Sequence, residues 1–285
     1  MAVTLDPRFV EREYNNRALV PEHPAFFARW ERDSEFVRAT LPCTLDLAYG
    51  ADPRHRLDWF PAAGRVRGTL VFIHGGYWRS LDKSVFSWLA ASYVPEGINV
   101  AMLNYRLCPA VRIDQIVDDV IGAMNWLMGP APSPLGEAGG HPVALCGHSA
   151  GGHLVGALFA APASRLTFDP ARVAGGLSLS GVFDFAPLQL FSFNSDFRLD
   201  EAAVARLNLY DKATTVKAPL VVAAGGDESS EFRRQSTLIA GRWSPQARPA
   251  LILPGVNHFS IVDAFAERSQ PLHSATLGLL GSDSN

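Results

Sequence analysis

A glycine–x–serine–x–glycine run lies between an apolar, strand-like segment and a helix-like segment. The run is G-H-S-A-G at residues 147–151, with the apolar residues 143–146 before it and the helix-like residues 153–159 after it. A serine at the tip of a sharp strand-to-helix turn has a strained backbone, and its neighbours two residues away come so close that both must lack a β-carbon. The pattern therefore predicts Ser149 as an exposed nucleophile. A glycine- and serine-rich turn is the plainer alternative.

A second glycine-rich motif follows an earlier strand-like segment. Residues 68–73 form an apolar run that predicts a buried strand, and H-G-G-Y-W follows at residues 74–78. Glycines let backbone N–H groups approach a developing alkoxide, and such donors are worth about 3–4 kcal/mol in a transition state. A loop of this kind upstream of a nucleophile elbow builds an oxyanion hole. Because both motifs occur in the expected order, this interpretation is favoured over a simple turn.

The rest of the chain alternates between strand-like and helix-like segments. The predicted strands are 68–73, 98–103, 142–146, 175–180, 219–224 and 249–253. The predicted helices lie near 82–94, 112–128, 150–161, 230–241 and 260–267. This alternation predicts an α/β fold with a mostly parallel sheet and helices on both faces. A leading hairpin, 45–50 with 56–60, is expected to supply an antiparallel edge.

Two further segments complete the predicted organisation of a single domain over residues 1–285. Residues 1–40 have helix-like aromatic spacing and are expected to form an arm packed on the main body. Residues 184–212 break the alternation on the same edge as the elbow, which predicts a short cap. The cap phenylalanines Phe185, Phe191 and Phe193 are expected either to line a pocket or to pack under a loop.

Composition argues against several classes of protein. A net charge of −3 with scattered basic residues gives no reason to expect nucleic acid or an anionic membrane as a partner. Three cysteines without a C-x-x-C pair are typical of reduced thiols, and no stretch shows a signal peptide or a membrane span. No metal-binding or nucleotide-binding motif is present, so no cofactor is expected. We therefore expect a cytoplasmic protein that acts on a small molecule, with a homodimer left open.

A serine nucleophile requires a base, and the base requires an acid that orients it. Among the eight histidines, His258 follows the last predicted strand on a Pro-Gly-Val-Asn loop, where it would reach the edge that carries Ser149. The acid is expected after the strand 219–224, where Asp227 and Glu228 stand side by side. Position alone does not decide which of the two carboxylates is the acid. The plainer alternative is that both are solvated loop carboxylates without a catalytic role.

The chain resembles the kynurenine formamidase (arylformamidase) group of α/β hydrolases over about residues 10–270. The segments that carry the resemblance are H-G-G-Y-W at 74–78, N-Y-R-L-C-P at 104–109, G-H-S-A-G-G-H-L at 147–154, E-S-S-E-F-R-R-Q at 228–235 and N-H-F at 257–259. Hormone-sensitive-lipase-like esterases share G-H-S-A-G and Y-R-L-x-P. The resemblance implies an α/β-hydrolase fold and a triad enzyme that cleaves formamides or small esters.

The resemblance also implies roles for individual residues. It assigns the backbone amides of Gly76 and Tyr77 to the oxyanion hole, whereas the third expected donor, the amide of Ala150, follows from the G-x-S-x-G motif itself. It favours Glu228 as the acid, because related chains carry the acid three residues before a Glu-Phe pair. Trp78 is expected to line the substrate pocket and to stack on an aryl ring.

Three functional hypotheses follow from these residues. The first is an arylformamidase acting on an N-formylkynurenine-like formanilide, and the second is a carboxylesterase for short acyl esters. The third, a ligand-binding protein without turnover, is disfavoured because no member of the predicted triad is missing.

Overall fold

One eight-stranded sheet organises the part of the chain that the computed structural model describes, residues 6–129, 132–135 and 140–281. Its strands are β1 (Thr44–Ala48), β2 (Arg56–Phe60), β3 (Gly68–Ile73), β4 (Ile98–Leu103), β5 (Val143–His148), β6 (Val173–Leu179), β7 (Leu220–Gly225) and β8 (Leu251–Leu253). The strand order is β1-β2-β4-β3-β5-β6-β7-β8. The pairs β1–β2 and β2–β4 are antiparallel, and all later pairs are parallel. The predicted α/β class and the antiparallel edge are confirmed.

Helices connect the strands. They are α1 (Pro7–Tyr14), α2 (Asn16–Leu19), α3 (His23–Thr40), α4 (Ala90–Tyr93), α5 (Ile113–Met128), α6 (Ala150–Phe159), α7 (Asn194–Phe197), α8 (Glu201–Leu207), α9 (Ser230–Arg242), α10 (Ser260–Ala266) and α11 (Pro271–Leu279). Short 3₁₀ helices occupy Lys83–Leu89, Val94–Glu96, Ala163–Arg165, Pro170–Arg172 and Pro187–Leu190. In the described ranges, no helix combines the length and the apolar character that crossing a membrane requires.

The two faces of the sheet carry separate hydrophobic cores. Side chains alternate along a strand, so neighbouring residues of β3 point to opposite faces. Val71 and Ile73 pack in a core with residues of α5 and α6, whereas Leu70 and Phe72 pack in a core with residues of α3, α10 and α11. All six residues of β3 are buried. This double burial explains why the strand has a continuous apolar sequence.

The loops that carry the sequence motifs meet at one edge of the sheet. Because β3, β5, β7 and β8 are parallel, their C-terminal ends lie on the same side. The register pairs Ile73 with Gly147 and Gly225 with Leu253, so these strands end nearly level. The loops after them carry H-G-G-Y-W, the elbow serine, the two candidate acids and His258.

The N-terminal helices cross this edge from one face of the sheet to the other. On one face, the Tyr14 hydroxyl of α1 donates to Glu231 Oε2 of α9 at 2.8 Å. On the other face, Trp30 Nε1 of α3 donates to Asp263 Oδ1 of α10 at 3.0 Å. The chain between α1 and α3 therefore passes over the C-terminal ends of the strands. Residues 1–5 of the predicted arm lie outside the described residues, and the division into an arm, a body and a cap remains a prediction.

Helix α11 lies beyond the last helix that the sequence predicts. Leu272 and His273 of α11 are buried, and the His273 ring stacks on Tyr93 with centroids 4.9 Å apart. Its apolar residues are interspersed with small and polar ones, so no clear helical period marks it in the sequence. The predicted helix 82–94 also differs, because most of its first half is a 3₁₀ helix.

Replacing Trp30 with alanine should destabilise the protein strongly. Trp30 is fully buried and bonded to Asp263, and truncating a buried tryptophan typically costs about 3–5 kcal/mol. Phe36 on the same helix is 68% exposed and provides the matched control, since Phe36→Ala should change stability by less than about 0.5 kcal/mol. Urea unfolding followed by circular dichroism measures both values. A loss below about 1 kcal/mol for Trp30→Ala would show that α3 does not anchor the N-terminal segment.

Candidate active site

Ser149 lies at a strained turn between β5 and α6. Its backbone has φ 55° and ψ −116°, a conformation that an L-residue rarely adopts. The Ser149 N–H donates to the carbonyl of Leu179 at 2.8 Å, which fixes the turn to the neighbouring strand β6. The surrounding structure thus imposes the strain and raises the side chain above the sheet edge.

The two motif glycines are required by contact with backbone atoms. A β-carbon at Gly147 would lie 2.1 Å from the carbonyl oxygen of Gly151, and one at Gly151 would lie 2.0 Å from that of Ile73. Real side chains do not approach backbone oxygens this closely, so a larger residue would displace either the helix or the strand. The spacing of glycine around Ser149 therefore follows from how closely α6 packs on β5 and β3.

His258 is held from two sides. Its Nδ1 donates to Glu228 Oε2 at 2.7 Å, and its backbone carbonyl accepts a hydrogen bond from His148 Nε2 at 2.8 Å. The ring packs against Phe232, with centroids 4.6 Å apart. Asn257 fixes the loop as well, since its Oδ1 accepts from the amides of Phe259 and of the first residue of α10.

Of the two candidate acids, Glu228 contacts His258. Its second oxygen, Oε1, accepts from the Ser180 hydroxyl at 2.5 Å and from the Gly225 amide at 2.6 Å, so both carboxylate oxygens have partners. Glu228 is 6% exposed, whereas Asp227 is exposed to solvent. Donors on both sides orient the Glu228 carboxylate towards the imidazole. The alternate acid Asp227 is not brought to His258.

His148 has a role that sequence reasoning missed. Its Nε2 donates to the backbone carbonyl of His258 and so holds the loop that carries the candidate base. Burial lowers the pKa of His148 well below its usual value, with the nearby His258 as a further cause. The ring therefore stays neutral, with its proton on Nε2. Its buried Nδ1 has no hydrogen-bond partner among the described residues.

The loop after β3 presents backbone donors next to Ser149. Gly76 has φ 103° and Tyr77 has φ 51°, and a β-carbon at Gly76 would lie 2.2 Å from the carbonyl oxygen of Ser80. Among the described residues, the turns, loops and helix caps contain no backbone hydrogen bond that is donated by the amide of Gly76, Tyr77 or Ala150. These three N–H groups are those predicted for the oxyanion hole, and Gly76 and Tyr77 line the cavity that contains Ser149.

The N-Y-R segment after β4 supports that loop from below. The Tyr105 hydroxyl donates to the carbonyl of His74 at 2.7 Å, and the two rings stack with centroids 4.3 Å apart. Burial lowers the pKa of His74 to about 4, so its ring is neutral at physiological pH. Arg106 is anchored by a bidentate contact to Asp119, with distances of 2.6 and 2.9 Å. The loop after β3 that carries H-G-G-Y-W, called the glycine loop below, is thus supported by side chains that are themselves held in place.

Ser149 and His258 open into one cavity of about 210 Å³. Its walls come from the glycine loop, the elbow, the His258 loop, the cap segment and the N-terminal helices. The lining residues are Asn15, Asn16, Arg17, Phe27, Trp30, Gly76, Tyr77, Arg79, Ser80, Leu81, His148, Ser149, Phe193, His258 and Phe259. Sequence reasoning missed the contribution of residues 15–30, because helical spacing marks a packed face without showing what it covers.

The prediction that Trp78 lines the pocket is wrong. Trp78 is fully buried, is not among the residues that line the cavity, and packs against Phe185 at 5.2 Å and edge-on against His153 at 5.4 Å. Tyr77 and Trp78 both lie in a turn with positive φ, 51° and 53°, in which Tyr77 lines the cavity and Trp78 enters the core. Of the three cap phenylalanines considered, Phe193 alone is among the residues that line the cavity.

Comparison with known families agrees with this geometry. A model of the alpha/beta hydrolase fold matches residues 70–237, more than half of the chain, from β3 into α9. The chain belongs to the α/β-hydrolase family. The match includes the glycine loop, the elbow and both candidate acids, while His258 lies beyond it.

Individual relatives extend the comparison to most of the hydrolase. Kynurenine formamidase from Salmo salar is 25% identical and covers 87% of this chain and 85% of its own length; the enzyme of that name from Danio rerio is 24% identical over similar shares. The crystal structure of a Silicibacter sp. tm1040 protein, provisionally described as a thioesterase, matches with a TM-score of 0.83 and 30% identity, covering 93% of this chain and 97% of that one. The resemblance to kynurenine formamidases is confirmed, and the hydrolase is an enzyme of the α/β type.

Gly151→Ala should damage both the stability and the activity of the hydrolase. The added methyl group would meet the Ile73 carbonyl at 2.0 Å, so the elbow must shift, and a displacement of about 1 Å can cost about 100-fold in rate. The matched control is Gly122→Ala in α5, where the added methyl group would meet no atom of the described residues within 4 Å apart from its chain neighbours and its own helix backbone. This change should stabilise the helix by up to about 1 kcal/mol. Thermal unfolding and kcat/KM on p-nitrophenyl acetate measure both effects. Unaltered kcat/KM in Gly151→Ala would contradict the tight packing of the elbow.

Proposed function

We propose that the chain is a serine hydrolase in which Ser149 is the nucleophile, His258 the general base and Glu228 the acid that orients the imidazole. The observation that carries the proposal is the 2.7 Å bond between His258 Nδ1 and Glu228 Oε2, in a loop whose histidine shares a cavity with the elbow serine. That bond fixes the tautomer that leaves Nε2 free to accept a proton.

The proposed reaction is acyl transfer to water. Ser149 Oγ attacks the carbonyl carbon of the substrate while His258 Nε2 takes the hydroxyl proton. The N–H groups of Gly76, Tyr77 and Ala150 donate to the oxyanion of the tetrahedral intermediate. His258 then protonates the leaving amine or alcohol as the bond from carbon to the leaving group breaks. Water repeats the sequence on the acyl-enzyme and releases the acid.

We propose an aryl formamide of the N-formylkynurenine type as the substrate. The cavity is small, and Phe27, Trp30, Phe193 and Phe259 give it aromatic walls that suit an aryl ring. The Tyr77 side chain narrows the cavity beside the oxyanion donors, and the smaller space suits a formyl group better than a long acyl chain. An arylamine also leaves more readily than an alkylamine. The relatives named kynurenine formamidase support this choice.

A carboxylesterase for short acyl esters is the alternative function. The same nucleophile, base and oxyanion donors would serve an ester, and the Silicibacter sp. tm1040 protein with a similar structure is provisionally described as a thioesterase. The two functions differ in the leaving group. They are therefore separated by comparing the turnover of an aryl formamide with that of an aryl ester.

Amide substitutions test the proposed acid. Glu228→Gln keeps the shape but presents a donor to His258 Nδ1, which favours the wrong tautomer and should lower kcat by up to about 10⁴-fold. Asp227→Asn is the matched control, since Asp227 is exposed and should contribute little. Steady-state kinetics on one substrate give both values. Loss of activity in Asp227→Asn together with near wild-type Glu228→Gln would reverse the assignment.

Substrate comparison tests the proposed specificity. We expect kcat/KM to be higher for N-formylkynurenine than for p-nitrophenyl acetate, although the ester is intrinsically more reactive. Among p-nitrophenyl esters from acetate to decanoate, the shortest should be preferred because the cavity is only about 210 Å³. Ser149→Ala serves as the blank for uncatalysed hydrolysis. A maximum at eight carbons or more, or no formamide turnover, would contradict the formamidase proposal.

A further inference from the structure

Two polar residues of the N-terminal segment line the catalytic cavity without an evident structural purpose. Asn16 and Arg17, at the start of α2, reach the cavity beside Ser149 and His258 because the segment crosses the C-terminal edge of the sheet. Their neighbour Asn15 differs, since its side chain donates to Glu11 Oε1 at 2.8 Å and accepts from the Ala18 amide at 3.2 Å. The Asn15 side chain is thus satisfied within its own segment, whereas the described residues give neither Asn16 Nδ2 a hydrogen-bond partner nor Arg17 a carboxylate partner.

Asn16 carries a buried donor that has no partner in the described part of the chain. The side chain is 4% exposed, and its Nδ2 has no hydrogen-bond partner among residues 6–129, 132–135 and 140–281. Leaving a buried donor unsatisfied is unfavourable, so such groups in native structures call for an explanation. An acceptor supplied by a bound ligand would satisfy it.

Arg17 adds a positive charge that no carboxylate of the described residues neutralises within 4 Å. Its guanidinium lies over the ring of Phe27, 5.6 Å from the centroid, which holds it beside the cavity. The other arginine of the lining, Arg79, is different, because it pairs with Asp196 at 2.6 Å and stacks on Phe193. Arg17 is thus the lining cation whose charge remains available within the described part of the chain.

We propose that Asn16 and Arg17 form an anion-binding subsite that selects substrates carrying a carboxylate. Both side chains offer N–H donors, and a guanidinium can bind both oxygens of a carboxylate at once. The inference rests on the proposed function in one respect: the carboxylate belongs to a substrate whose aryl ring occupies the aromatic cavity. Asn16 and Arg17 act on binding and specificity, and they do not touch the reacting carbonyl.

Binding of two uncleaved probes tests the subsite. The probes are 4-phenylbutyrate and its uncharged amide, which share the aryl ring and chain and differ in charge. Calorimetry on the wild-type protein should give a Kd about five- to tenfold lower for the carboxylate, with an advantage that shrinks as salt is added. In Arg17→Met the two Kd values should become equal, while Arg17→Lys keeps part of the preference. Asn16→Asp, which places a negative charge in the subsite, should reverse it.

Arg8→Met is the matched control. Arg8 lies on the same N-terminal segment, is exposed and is not among the residues that line the cavity, so this variant should keep the full carboxylate preference. An unfolding curve shows whether each variant is folded; if Arg17→Met is not, the Arg17→Lys and Asn16→Asp ratios decide. Equal affinity for both probes in the wild-type protein, or an unchanged preference in folded Arg17→Met, would overturn the subsite.

The result is separable from the proposed substrate. Because neither probe carries a formamide or an ester, their Kd ratio does not depend on turnover. A hydrolase that cleaves esters but no formanilides and still prefers 4-phenylbutyrate refutes the formamidase proposal and supports the subsite. A protein that cleaves formanilides and binds both probes equally supports the formamidase proposal and refutes the subsite.

Discussion

The close approach of α6 to the sheet is the constraint on which the rest of the site depends. Gly151 lies against the carbonyl of Ile73, and Gly147 lies against Gly151, so the chain can turn sharply only between them. Ser149 therefore has its strained backbone, and its hydroxyl is raised at the C-terminal edge of the sheet. The same edge receives the loops after β3, β7 and β8, because these strands are parallel to β5.

The sequence predicted those strands and helices in which burial recurs at a regular spacing along the chain. A strand buried on both faces must be apolar throughout, and a helix on the sheet must be apolar on one side, so both periods are visible without a structure. Predicted strand 68–73 agrees with β3, and predicted helix 112–128 agrees with α5. The glycines of the motifs could also be predicted, because a larger residue at these positions would collide with backbone atoms.

Contacts between segments far apart in the chain could not be predicted from such local patterns. No local pattern shows that residues 15–17 cross the catalytic edge, since their position is set by Tyr14 on one face and Trp30 on the other. Trp78 was misplaced because Tyr77 and Trp78 lie in an irregular turn with positive φ, and the sequence alone does not show the direction of each side chain in such a turn. The contact between Glu228 and His258 depends on donors from Ser180 and Gly225, which lie on two different strands or their loops.

Covalent labelling with a fluorophosphonate tests the central claim most directly, because the reagent reacts with a serine only where a base and an oxyanion hole activate it. Intact-mass spectrometry of the wild-type protein should show one adduct per chain, and peptide mapping should locate it on Ser149. Ser149→Ala should remain unlabelled, and His258→Ala should react far more slowly. An unlabelled wild-type protein, or an adduct on another residue, would contradict the account of Ser149 as the activated nucleophile.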